Sequence, residues 1–129
     1  MRIAISSEGK SISDLMDVRF GRCNYFLIYD LESGDMKCVE NSGQSASGGA
    51  GIAAAQQIID EKVDIVITGN LGPNAFNMFN AAGIKVMKSD ALIVEKVIEL
   101  YKNGELTELT QSGPAHGGMG NGAGFRGGR

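Results

Sequence analysis

Two cysteines, one histidine and two closely spaced arginines are the side chains of this sequence best suited to hold a metal or an anion. Cys23 follows Phe20-Gly21-Arg22, and an adjacent guanidinium favours a thiolate. It reads either as a metal or cluster ligand or as a plain structural thiol. Cys38 alternates with Val39 and shares a face with Met36, the setting of a small buried hydrophobe. The two thiols do not form C-x-x-C, so they make no autonomous zinc or cluster site. His116, with Met119, completes an open metal site only if the C-terminal stretch folds over it. It is the only histidine and lies in the C-terminal tail, so a folded Ser-His-Asp or Cys-His site cannot be assembled, and no catalytic residue is expected.

Glycine-rich turns offer a second kind of chemistry. Gly49-Ala50-Gly51-Ile52-Ala53-Ala54 fits G-x-G-x-x-A, and Gly69-Asn70-Leu71-Gly72-Pro73-Asn74 precedes another apolar-periodic segment. Both lead into helix N-termini, where free N–H groups and the helix dipole favour an anion. A dinucleotide site would need the first motif directly after a strand and an acid at the end of the next one. The motif lies about eight residues beyond its strand, and Asn70 stands where the acid belongs. There is no G-x-x-x-x-G-K-[ST] segment, which excludes P-loop chemistry.

The elements that must position these groups follow from periodicity. Residues 1–6 and 25–30 read as strands, and Met36 to Glu40 returns as the second arm of a hairpin across Glu32-Ser33-Gly34-Asp35. Between the first two strands lies a long polar loop in which Asp14 to Asp17 suggests one helical turn. Ile52, Ala55, Ile58 and Ile59 predict a helix over 51–61, and Val63 to Thr68 a strand covered on both faces. Pro73 and Gly83 bracket a second helix, 84–87 reads as a strand, and 90–102 as a third helix presenting Ile93, Val94, Val97, Ile98 and Tyr101.

A strand-helix-strand-helix-strand run needs a mostly parallel sheet, with the hairpin adding antiparallel strands at one edge. The expected fold is a single α/β domain, a mixed five-stranded sheet with about three helices, similar in topology to ribonuclease-H-like folds. Nuclease members of such folds need clustered carboxylates. Here the first strand ends in Ser6, the strand at 63–68 ends in Thr68, and Asp64 is at its wrong end.

Charge and composition divide the chain at about residue 109. Residues 1–109 carry 10 basic and 15 acidic groups, which gives no cationic footprint for nucleic acid. Residues 110–129 hold eight of the 19 glycines and are expected to form a disordered tail. Truncation after Thr110 should therefore leave the melting temperature almost unchanged, and a loss of several degrees would contradict this. The apolar fraction of 43% is that of a folded globular chain, and no apolar run nears the roughly 20 residues of a membrane span, so no use of a membrane is expected. Two cysteines fifteen positions apart make no disulfide scaffold, which leads us to expect a cytoplasmic protein. The polar turn after Ile5 argues against a signal peptide.

Three segments in order carry a family resemblance. Arg19-Phe20-Gly21-Arg22-Cys23-Asn24-Tyr25-Phe26 resembles an HFGRA-x-x-F segment, and Gly49 to Ala54 a GAGI-x-AA helix start. Val63 to Ala75, with Asn80 to Val86, resembles VDVVI-x-G-x-x-GPNA and L-x-x-AGIKV. Together they are similar to the dinitrogenase iron–molybdenum cofactor biosynthesis family, the NifX/NifB-type accessory domains, over residues 1 to about 106. The tail is like that of the small stand-alone members. Arg19 replaces the family's histidine and Cys23 its usual alanine.

The resemblance implies a ribonuclease-H-like fold without nuclease activity. It also implies a non-enzymatic binding or carrier protein for an iron–sulfur or iron–molybdenum type cluster, or a precursor of one. The alternatives are a small-anion or nucleotide-binding regulatory domain, or an interaction module for a cluster-assembly ATPase. The expected cofactor-binding set is Ser6, Arg19, Phe20, Gly21, Arg22, Gly49, Gly51, Gly69, Asn70, Gly72 and Asn74, with Cys23 and His116 as metal ligands.

Overall fold

A computed structural model describes residues 1–43 and 49–110. The strands are β1 (Arg2–Ser7), β2 (Tyr25–Asp30), β3 (Met36–Glu40), β4 (Ile65–Thr68), β5 (Lys85–Lys88) and β6 (Thr107–Glu108). The helices are α1 (Ala50–Asp60), α2 (Pro73–Ala81) and α3 (Val94–Lys102), with a 3-10 turn at Phe20–Arg22. The sheet order is β3-β2-β1-β4-β5-β6. β1, β4 and β5 are parallel, and β2, β3 and β6 add antiparallel pairings.

The period-two alternation of each strand splits the core in two. Ala4, Phe26, Ile28, Val66 and Val86 face α1 and α2, where they meet Ala54, Ala55, Ile58, Phe76 and Phe79. Ile3, Ile5, Leu27, Ile65 and Ile67 face α3 through Val94, Val97 and Ile98. β4 is buried on both sides, as its unbroken apolar run predicts. Pro73 occupies the first turn of α2, and Gly83, at φ 75°, takes the left-handed position just beyond its C-terminus.

Four expectations need correction. The sheet has six strands, not five: Met87 pairs with Glu108 and Lys88 with Thr107. A two-residue exposed strand has no hydrophobic period to betray it. Asp14 to Asp17 forms no helical turn. Leu15 bridges Ile93 and Met16 bridges Ser7, while the Met16 N–H donates to Leu92 O and the Asp17 N–H to Ser6 O. α3 begins at Val94 rather than Asp90 for the same reason. Ile93 is extended, at φ −61° and ψ 138°, because it pairs with the Leu15 segment. Cys38, expected to be buried, is half-buried on edge strand β3.

Candidate functional site

β1, β3 and β4 all run toward one edge of the sheet, so the segments that follow them meet there. Open α/β sheets bind ligands at this edge, where the chain departs to either side of a central strand. An open cavity of about 330 Å³ lies at that edge. Its walls are the 3-10 turn (Phe20, Gly21, Arg22), the start of α1 (Gly49 to Ile52) and the start of α2 with Asn70 (Gly72 to Ala75).

Each wall has a local cause. Gly49 sits at φ 70°, a left-handed conformation that a side chain disfavours, and turns the chain into α1. Gly21 packs on Gly51 so closely that an added Cβ would lie 3.1 Å from the Gly51 nitrogen. Phe20 anchors the turn, 3% exposed, with its ring 5.1 Å from Phe26 and 5.4 Å from Phe79 in an edge-on contact. The Asn70 N–H donates to Val18 O at 2.8 Å, and Arg19 bridges Asn70, which joins the first loop to the loop after β4.

The electrostatics of the cavity favour an anion. Among the described residues, neither α1 nor α2 has a side-chain cap or an acidic residue in its first turn. The leading N–H groups of a helix have no partner within it, and the dipole places about +0.5 charge at each N-terminus. Arg22 adds a full positive charge, and no carboxylate lies among the lining residues.

Eight of the expected binding residues therefore line one cavity: Phe20, Gly21, Arg22, Gly49, Gly51, Asn70, Gly72 and Asn74. The others lie elsewhere. Ser6 is buried, and its hydroxyl donates to Asp17 O at 2.6 Å and lies 2.9 Å from Thr68 Oγ1. Gly69 lies against Val18, which occupies the space a side chain would need. Arg19 is drawn away by Asp17: its Nε and Nη2 donate to the two carboxylate oxygens at 3.1 and 2.9 Å. His116 lies outside the described residues. Ala50, Ile52, Pro73 and Ala75 also line the cavity. They stand beside the glycines of both motifs, which was the available signal for them.

Asp17 was not foreseen at all. Its carboxylate is 3% exposed and also accepts the Arg19 N–H at 2.9 Å. Burial works to raise its pKa, but the Arg19 hydrogen bonds and charge together outweigh it and hold the group below the usual carboxylate range. A depressed folded-state pKa contributes stability above the unfolded value of about 3.9, which is lost as pH falls through the folded value. Asp17→Asn should lower stability at pH 7 by about 1–3 kcal/mol and flatten the stability profile below about pH 5. Denaturant melts of both proteins from pH 7 to pH 3 check this. An equally steep acid loss in the variant would contradict it.

Cys23 overturns the expectation of an activated thiol. It is fully buried, its Sγ–H donates to Phe20 O at 3.3 Å, and it is not among the cavity-lining residues. Burial, reinforced by the Asp17 charge, pushes its pKa up to about 12. The neighbouring arginine does not lower it, because the side chains of successive residues diverge: Cys23 points into the core and Arg22 is exposed. Native protein treated with iodoacetamide at pH 8 should remain unmodified at Cys23 while urea-unfolded protein is fully labelled. Equal rates would contradict this burial. Among the described residues, no group of three or more His, Cys, Asp or Glu is placed to hold a metal ion.

Residues 1–104 match the protein family described as "Dinitrogenase iron-molybdenum cofactor". The chain belongs to this family. It is 31% identical over 112 residues to an uncharacterized protein of Methanocaldococcus jannaschii, covering 84% of this chain and 92% of that one. Among solved structures it resembles the apo form of the orange protein from Desulfovibrio gigas (34% identity, TM-score 0.83, 87% of this chain and 95% of that one). It also resembles a NifB candidate from Thermotoga assigned to the DUF35 family (37% identity, TM-score 0.78, 89% and 98%). Among the described residues, no helix is long and apolar enough to cross a membrane.

Proposed function

We propose that the protein is a non-enzymatic binder or carrier of an anionic iron–sulfur or iron–molybdenum type cluster, taken as cargo at the cavity between α1 and α2. The observation that carries this reading is the convergence of two uncapped helix N-termini and Arg22 on one open cavity without a carboxylate. Membership of a family described by the iron–molybdenum cofactor supports this class of cargo. Among the described residues, the lining offers amides, a guanidinium and two side-chain amides, but no thiol, imidazole or carboxylate. The cluster is therefore held through its outer atoms by hydrogen bonds and charge, with its own ligands kept. Neither Cys23 nor Arg19 takes part directly. An open mouth lets such a cargo pass to a cluster-assembly partner, a transfer that a closed, thiolate-ligated site would slow.

The wild-type protein, incubated without oxygen with a synthetic thiolate-ligated [4Fe–4S] dianion and desalted at low salt, should retain the cluster's absorbance and iron. Retention should fall steeply from 0.05 to 0.5 M salt, since the contacts are electrostatic and near the surface. A protein that retains no iron at low salt contradicts the proposal. A nucleotide-induced rise in melting temperature without cluster uptake would favour the small-anion reading, for which Gly49 to Ala54 is the supporting motif. No magnesium- or manganese-dependent nuclease activity is expected. Cleavage that survives repurification and is lost in Asp64→Asn would overturn that expectation.

A further inference from the structure

We propose that Asn41 is the positioning residue of the anion site: it fixes the Gly21–Arg22 turn against the start of α1 without itself lining the cavity. The inference rests on reading the cavity as an anion site. Asn41 is 5% exposed, and every polar group of its side chain is used. Its Nδ2 donates to Gly21 O at 3.1 Å and Cys23 O at 2.9 Å, and its Oδ1 accepts the Gly43 N–H at 2.9 Å. Its own N–H donates to Asn24 O at 3.1 Å. One side chain thus ties both ends of the Arg22-bearing turn to the segment that leads toward α1.

That segment is itself seated on α1. The Gln57 Nε2 donates to Glu40 O at 2.6 Å, and its Oε1 accepts the Ser42 N–H at 3.0 Å. Gly43 lies so close to the helix that an added Cβ would come within 2.5 Å of Ala50 O. On the far side of Asn41, Gly21 packs on Gly51. The chain of contacts runs from Arg22 through Asn41 to the first turn of α1, and so sets the separation between the guanidinium and the helix amides. Two groups bind one anion jointly only when their spacing is held, so loosening this link should cost affinity even where the fold persists.

The test uses Asn41→Ala and the milder Asn41→Ser, each in the wild-type and Arg22→Ala backgrounds. The probe is the same [4Fe–4S] dianion. In the free protein, the amide NMR signals of Gly21, Arg22 and Gly43 should move in both Asn41 variants while those of β5 and α3 stay in place. Affinity for the dianion should fall about fourfold on the wild-type background, no more than on removal of Arg22 itself, but less than about twofold when Arg22 is already alanine, because the two residues act as one unit. Equal losses in both backgrounds would reduce Asn41 to general stability and overturn the inference. Unmoved Gly21 and Arg22 signals would overturn it while leaving the anion reading intact. Wild-type protein that takes up no dianion overturns the anion reading, and the inference with it.

Discussion

Phe20→Ala is expected to lower the free energy of unfolding by about 3–5 kcal/mol, the usual loss when a buried aromatic is truncated. The ring is packed between Phe26 and Phe79 and is part of the core under α1 and α2. Its removal deletes two aromatic contacts and leaves a void that the surrounding strands cannot easily close. For a domain whose total stability is about 5–15 kcal/mol, this is a large share. The melting temperature should drop by more than about 10 °C. Phe20 also forms the base of the turn that presents Gly21 and Arg22, so cluster uptake should fail together with stability. Phe20→Leu should recover most of the stability. Thermal melts of the three proteins check this, and a Phe20→Ala protein melting within a few degrees of wild type would contradict the packing described.

Gly72→Asp should separate stability from binding. Gly72 is the N-cap of α2, at φ −73° and ψ 169°, a conformation open to any residue, and an added Cβ would meet nothing within 4 Å. Aspartate is a good N-cap, so the helix should hold or gain a few tenths of a kcal/mol relative to glycine. Its carboxylate, however, would accept the same N–H groups that we assign to the anion and place a negative charge at the cavity. At separations of about 6 Å in a partly wet site, repulsion of a dianion is worth a few kcal/mol, so affinity should fall by on the order of tenfold or more. Isothermal titration with the [4Fe–4S] dianion, beside a thermal melt, reads both quantities. Unchanged affinity in a stable Gly72→Asp protein would remove α2 from the site.

The helix starts at Gly49 and Gly72 were legible because glycine and proline at an element boundary have local consequences that tertiary contacts reinforce rather than oppose. The shared edge followed from connectivity, since a strand and the helix after it fix where each N-terminus lies. What the sequence hid was pairing between segments far apart in the chain. Asp14 to Asp17 has local helical features, but its bonds to Ser6 and Leu92 hold it extended, and Ile93 is kept out of α3 by the same contact. Arg19 looked like an anion ligand because its proximity to Asp17 does not reveal a buried carboxylate facing it. Cys23 and Arg22 are adjacent in sequence yet lie in opposite environments, so the thiol's reactivity could not be read from its neighbour. Asn41 has the look of an ordinary turn residue, and only the fold shows its amide clasping Gly21 and Cys23.

In the proposed mode of binding, helix amides and Arg22 hold the anionic cluster, and no protein thiolate does. The most direct measurement is iron per chain after anaerobic loading with the [4Fe–4S] dianion and desalting, compared across wild type, Cys23→Ser and Arg22→Ala. Equal iron is expected in wild type and Cys23→Ser, once both are shown to be folded, and a loss of about fivefold in affinity in Arg22→Ala, a modest figure because the side chain is exposed. Loss of iron in a folded Cys23→Ser protein, with full retention in Arg22→Ala, would contradict it.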